Sequence, residues 1–162
     1  MSNKTSIKLC RFPRSSWLCE ALRLRASGVS RKESIARLEA LLGESISGKE
    51  SKVKAMLVVR YIWLENRESN IAALQEEGIS LYQDSPTNDQ AQFLSVFMTM
   101  AAYPFLFQTM ETIGKLIRLQ GSVKSEQLNR KLTSIHGERE TVTRSISYAI
   151  TLLTDLKIIV PT

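Results

Sequence analysis

Apolar residues recur at three- and four-residue intervals over most of the chain and rarely alternate, which is the period of amphipathic helices packed by one face. The stretch 16–27 predicts a first helix with Leu18, Leu22 and Ala26 inward and Gly28 closing it. Ser30-Arg31-Lys32-Glu33 has the capping-box pattern, in which a serine and a glutamate three residues on satisfy each other's orphan amides. The helix it opens carries Ile35, Leu38, Leu41 and Leu42, and Gly43 stands where a left-handed terminating residue is wanted. Over 49–65 the stripe is Val53, Met56, Leu57, Tyr61 and Leu64. A short helix over 69–77 follows, stopped by Gly78.

The second half opens with another cap, Thr87 with Gln90 three residues on. It continues through Phe93, Leu94, Val96, Phe97, Met98 and Met100, apolar on most faces, as expected of a central helix. Pro104 suits the first turn of the next helix, which runs through Leu106, Met110, Ile113 and Ile117 to Gly121. The aromatics Phe93, Phe97, Tyr103, Phe105 and Phe107 are predicted to lie in the core. Ser122-Val123-Lys124 reads as a brief extended piece. Ser125 then caps a helix with Leu128, Leu132 and Ile135 inward, and His136-Gly137 makes a turn. The last helix carries the stripe Val142, Ile146, Ala149, Ile150, Leu153 and Leu156, with Thr141, Arg144, Ser145, Tyr148 and Thr151 opposite. Only Lys157-Ile158-Ile159-Val160, ended by Pro161, reads as a β run. The pattern predicts an all-α fold, a small helical bundle over 1–85 and a three-helix module with at most a minimal β element over 86–162, packed together. The boundary falls at the turn cluster Asp84-Ser85-Pro86-Thr87-Asn88.

Composition leaves this picture intact. A chain of 162 residues, 43% hydrophobic and 23% charged, buries a core without disulfides or metals. The longest apolar run, near Phe93–Phe107, is interrupted by Ser95, Thr99 and Pro104, and the first residues show no secretory pattern, so a cytoplasmic protein with no membrane span is expected. Charge changes the picture more. Residues 1–32 hold a net +7, residues 33–100 a net −4 and residues 101–162 a net +3. Positive ends around an acidic middle favour a polyanion at one or both ends.

Candidate chemistry is thin. The stretch Gly43-Glu44-Ser45-Ile46-Ser47-Gly48-Lys49-Glu50 comes within one residue type of a phosphate-binding loop, yet a capped helix rather than a strand precedes it. Glu50 stands where the metal-holding hydroxyl belongs, so no nucleotide binding is expected. Cys10 and Cys19 are nine residues apart and the one histidine, His136, is remote from both, which is neither a zinc spacing nor a disulfide framework. The carboxylates Glu65, Glu68, Glu76, Glu77 and Asp84 read as a solvated acidic face. The expectation is a non-enzymatic protein without cofactor, nucleotide or metal.

The stretch SVKSEQLNRKLTSIHGERETVTRSISYAITLLTDLKIIV resembles a winged helix-turn-helix domain. The resemblance implies that the last helix enters the major groove and that a strand after the L-x-x-L-x-I-I tail starts a wing. The sequence departs from that pattern in leaving no room for a wing hairpin, and in placing Glu138 and Glu140 where they repel phosphates. The whole-chain plan is also similar to the helical A component of bacteriophage-exclusion (BREX) defence systems, which implies DNA binding within a phage-defence locus. The outer recognition face expected from helical phase and charge is Arg139, Thr141, Thr143, Arg144 and Tyr148, with Arg130 and Lys131 near enough in sequence to add backbone contacts. Arg11, Arg14, Arg23, Arg25, Arg31 and Lys32 would form a second basic surface. Double-stranded DNA is the expected partner. The alternatives are an adaptor docking protein subunits of a larger complex through an exposed patch around Trp17, Tyr61 or Trp63, and a helical RNA-binding protein.

Overall fold

The computed structural model describes residues 11–65 and 68–160; Lys4, Lys8, Cys10 and Pro161 lie outside them. Eight helices account for the regular structure of the described residues: α1 (Ser15–Ala26), α2 (Arg31–Gly43), α3 (Lys49–Trp63), α4 (Ser69–Asp84), α5 (Asn88–Ala102), α6 (Pro104–Gln120), α7 (Ser125–His136) and α8 (Glu140–Asp155). Their ends follow local chemistry. Gly28, at φ +70°, closes α1, with Val29 N–H reaching back to the Leu24 carbonyl. Ser30 Oγ accepts from Glu33 N–H at 3.2 Å, one half of the expected capping box, while the Glu33 carboxylate pairs with Arg37. Thr87 Oγ1 accepts from Gln90 N–H at 3.1 Å, Pro104 starts α6, and Gly121 at φ +78° ends it.

α5 is the central helix. It packs against α1, α3 and α4 on one side and meets α6 at 110° on the other, so the turn at Ser85–Thr87 joins two helices of one core. α6 also packs against α7 and α8, which pack on each other, completing a three-helix arrangement at the carboxy-terminal end. Among the described residues, no single helix is long and apolar enough to cross a membrane.

Several expectations are corrected. Gly78 does not end α4, because it lies inside the helix, and the Trp63 indole sits where a side chain would be. Gly43 is likewise the last helical residue of α2 rather than a left-handed cap. The buried face of α3 is Ala55, Met56, Val58, Val59, Ile62 and Trp63. Val53 and Leu57 are exposed, because α1, α2 and α5 converge on a face rotated from the predicted stripe. The aromatic cluster divides: Tyr103 and Phe105 are buried, whereas Phe93, Phe97 and Phe107 are more than half exposed on α5 and α6. Ile135 is exposed at the end of α7.

Lys157–Val160 forms no strand. Lys157 takes a left-handed φ of 58°, its N–H reaches the Thr154 carbonyl at 3.0 Å, and Ile158 N–H reaches the Leu153 carbonyl at 2.9 Å. This is a Schellman cap on α8 with lysine in the position glycine usually takes, and it uses amide donors that a β ladder would need. The reading of Ser122-Val123-Lys124 as extended gives only an irregular connector.

Candidate nucleic-acid interface

α7 and α8 are joined by Gly137, Glu138 and Arg139 alone. Gly137 makes the turn possible at φ +87°, ψ 156°, and its N–H caps α7 through the Thr133 carbonyl at 2.7 Å. Arg139 follows as the N-cap residue of α8, and its guanidinium donates to the His136 carbonyl at 3.0 Å, bracing the turn. His136 stands edge-on to Phe105 of α6 with ring centroids 5.2 Å apart, so the turn is anchored to the third helix as well. Partial burial, and after it the nearby Arg139 charge, holds the His136 pKa below its ordinary value.

α8 is sharply two-faced. Val142, Ile146, Ala149, Leu152 and Leu153 are buried against α6 and α7, and Ser145 goes inward with them, contrary to its predicted outward position. Ile150 and Tyr148 are half-buried at the margins, while Thr141, Thr143, Arg144, Ser147 and Thr151 face outward. Arg144 pairs with Glu140 one turn back, an exposed ion pair on the first turns of the helix. Arg130 and Lys131 are exposed on α7 with no carboxylate partner among the described residues. The structure therefore brings Arg139, Thr141, Thr143 and Arg144 together at the start of α8, leaves Tyr148 on the rim, keeps Thr151 outward as expected, and adds Ser147, whose exposure follows from helical phase.

The amino-terminal basic set is less uniform. Arg25 is a structural clamp: it donates to the Trp63 carbonyl at 2.8 Å and pairs with Glu76, tying α1 to α3 and α4. Arg23 bridges Glu20 at 3.5 Å and Asn88 at 2.8 Å. Arg31 sits 3.5 Å from Glu65, a buried carboxylate also held by Arg60 at 2.7 Å. Arg14 is exposed with its guanidinium 5.6 Å from the centre of the Trp17 ring, Lys32 is exposed, and Arg11 is half-buried. Half of the expected second surface is thus engaged with carboxylates, which no charge count along the sequence reveals.

Gly43 and Gly48 bracket a connector between α2 and α3, and the Glu50 carboxylate pairs with Lys54, whose hydrogen bond and charge lower its pKa. No group of His, Cys, Asp or Glu that could hold a metal occurs among the described residues. Cys19 is buried, which pushes its thiol pKa up and makes it a poor nucleophile. Trp17 and Trp63 are 3% and 0% exposed and Tyr61 is half-buried, so they form no docking patch. Trp63 instead donates to Ser95 Oγ at 3.3 Å within the core.

An apolar cleft of about 610 Å³ opens between α6, the start of α7, α8 and the tail, lined among others by Ile113, Ile117, Val123, Ile150 and Ile159. It lies where the two segments predicted as extended approach each other. No protein-family model matches the chain, and no curated protein or solved structure matches it.

Proposed function

We propose that the chain is a non-enzymatic DNA-binding protein in which α6, α7 and α8 act as a helix-turn-helix module of winged-helix type and α8 enters the major groove. The observation that carries this reading is the three-residue glycine turn between α7 and α8, with a Thr/Arg-rich outer face on α8 and exposed Arg130 and Lys131 on α7. Hydroxyls and guanidinium groups at the start of such a helix can donate to base edges and phosphates. Arg139 and Arg130 with Lys131 flank it for backbone contacts. Glu140 tempers the local charge, yet through its pair with Arg144 it also orients the residue best suited to a guanine edge. A place in phage defence is proposed from the resemblance of the sequence's whole-chain plan to the helical A component of phage-exclusion systems alone.

The test is duplex binding by the full chain and by the Arg139→Ala/Arg144→Ala variant. The variant should lose most of its affinity while keeping its helical signal; unchanged affinity would sink the assignment. Single-stranded RNA in the same assay separates the RNA-binding alternative.

A further inference from the structure

The start of α1 meets the far end of α8. Ser15 N–H donates to Asp155 Oδ2 at 2.5 Å, and Arg14, the N-cap residue of α1, immediately precedes that bond. Asp155 lies on the outward face of α8: it follows Thr151 by four residues and Arg144 by eleven, close to one and three helical turns, and all three are exposed. Arg14 is therefore set at the end of the face that begins with Arg139 and Arg144, roughly 16 Å along the helix from Arg144. Thr141, Thr143, Arg144 and Thr151 remain exposed, so α1 adjoins this face without covering it. The cations of the junction are available. Arg14 holds its guanidinium 5.6 Å from the centre of the buried Trp17 ring and has no carboxylate partner among the described residues. Lys157, two residues beyond Asp155, is exposed and equally without one, and the Asp155 carboxylate is engaged by the Ser15 amide. Arg23, Arg25 and Arg31 are held by Glu20, Glu76 and Glu65, and Lys32 stands beyond the other end of α1, roughly 18 Å away.

We infer that Arg14 and Lys157 hold the phosphate backbone at the edge of the groove that α8 enters, so that the first helix completes the interface where the resemblance places a wing. The inference rests on the DNA-binding reading of α8. A major groove is about 12 Å wide, so a helix that reads bases with its first turns carries residues roughly 16 Å further along past the groove edge and over the flanking strand. Phosphates line that edge, and an exposed guanidinium and ammonium suit them. Lys157–Val160, from which a wing would start, caps α8 instead. The amino-terminal bundle thereby gains a part in recognition, because α1, packed against α2, α3, α4 and α5, holds a phosphate contact at a set distance from the base-reading turns.

The test is the salt dependence of duplex binding by the full chain, followed by fluorescence anisotropy between about 50 and 200 mM salt. Arg14→Ala/Lys157→Gly should lower the slope of log affinity against log salt by about 2, roughly 0.9 for each phosphate lost, whereas Lys32→Ala should leave it unchanged. Arg14→Lys should keep the wild-type slope, because a single phosphate needs the charge more than the planar fork, and Lys157→Gly alone should remove about 1. If Arg14 serves only to pack on Trp17, Arg14→Ala lowers the urea midpoint and leaves the slope alone, which overturns the inference. An equal fall in slope from Lys32→Ala overturns it too, since the basic surface would then be diffuse. No duplex binding by the wild-type chain removes the DNA-binding reading and this inference together. Binding that depends on Arg139 and Arg144 but is indifferent to Arg14 and Lys157 removes this inference alone.

Discussion

Replacing Gly78 with alanine sets two effects of known size against each other. Gly78 lies inside α4, and in an open helical site glycine-to-alanine replacement stabilises by about 1 kcal/mol, because the unfolded chain loses backbone freedom and the helix gains a better former. At Gly78, however, a Cβ atom would stand 3.1 Å from Trp63 Cη2 and 3.2 Å from Cζ3. The indole has little room to retreat, being fully buried and bonded through Nε1 to Ser95 of α5. Pressing a methyl group into a packed core costs about 1 to 3 kcal/mol, so steric cost wins and Gly78→Ala should be destabilised by about 1 kcal/mol. Gly114 supplies the internal control. It is helical and exposed on α6 with nothing within 4 Å of its Cβ position, so Gly114→Ala should gain about 1 kcal/mol. Urea unfolding followed by circular dichroism at 222 nm measures both, and the two midpoints should move in opposite directions. If Gly78→Ala gains as much as Gly114→Ala, the α3–α4 contact through Trp63 is wrong.

Gln75 is buried and its amide donates to the carbonyls of Ile62 at 2.9 Å, Glu65 at 3.3 Å and Tyr61 at 3.4 Å; Gln75→Leu should cost about 1 to 3 kcal/mol in urea unfolding by leaving the end of α3 unsatisfied. Lys157→Gly should stabilise by about 1 kcal/mol, since glycine takes the left-handed cap position without strain, and an unchanged or lower midpoint would contradict the Schellman geometry. Arg25→Ala should lower stability while leaving the salt dependence of DNA binding untouched. Arg130→Ala/Lys131→Ala should do the reverse, reducing the slope of log affinity against log salt by about 2. His136 should titrate below its ordinary value of 6.5 as the single histidine resonance in an NMR titration. The unfolded chain then binds the proton first, so this residue lowers stability as pH falls from about 7 through 6.5 toward its folded pKa and contributes nothing above that window. A midpoint at or above 6.5 would contradict its partial burial behind Phe105.

Features decided within one helical turn are legible from the sequence. Ser30, Thr87, Pro104, Gly28 and Gly121 each act on donors and acceptors a few residues away, and each stands where its chemistry puts it. The buried stripe of α8 and the turn at Gly137 are read the same way. What fails depends on partners distant in sequence. Gly78 looks like a stop signal until Trp63 fills the space above it, and the acceptors at the end of α3 are met by Arg25 and Gln75 from two other helices. Arg23, Arg25 and Arg31 look like free cations until Glu20, Glu76 and Glu65 are set beside them. Phe93 and Phe97 look like core because hydrophobicity alone does not distinguish a buried face from an uncovered one.

The most direct test of DNA binding by α7 and α8 is fluorescence anisotropy of a labelled random duplex titrated at about 50 and 200 mM salt. With Arg130, Lys131 and Arg139 on phosphates and Arg144 on a base edge, affinity should fall roughly fortyfold between the two conditions through these contacts alone, and most of it should vanish in Arg139→Ala/Arg144→Ala. No duplex binding at the lower salt, or binding indifferent to both salt and those two substitutions, would contradict the assignment.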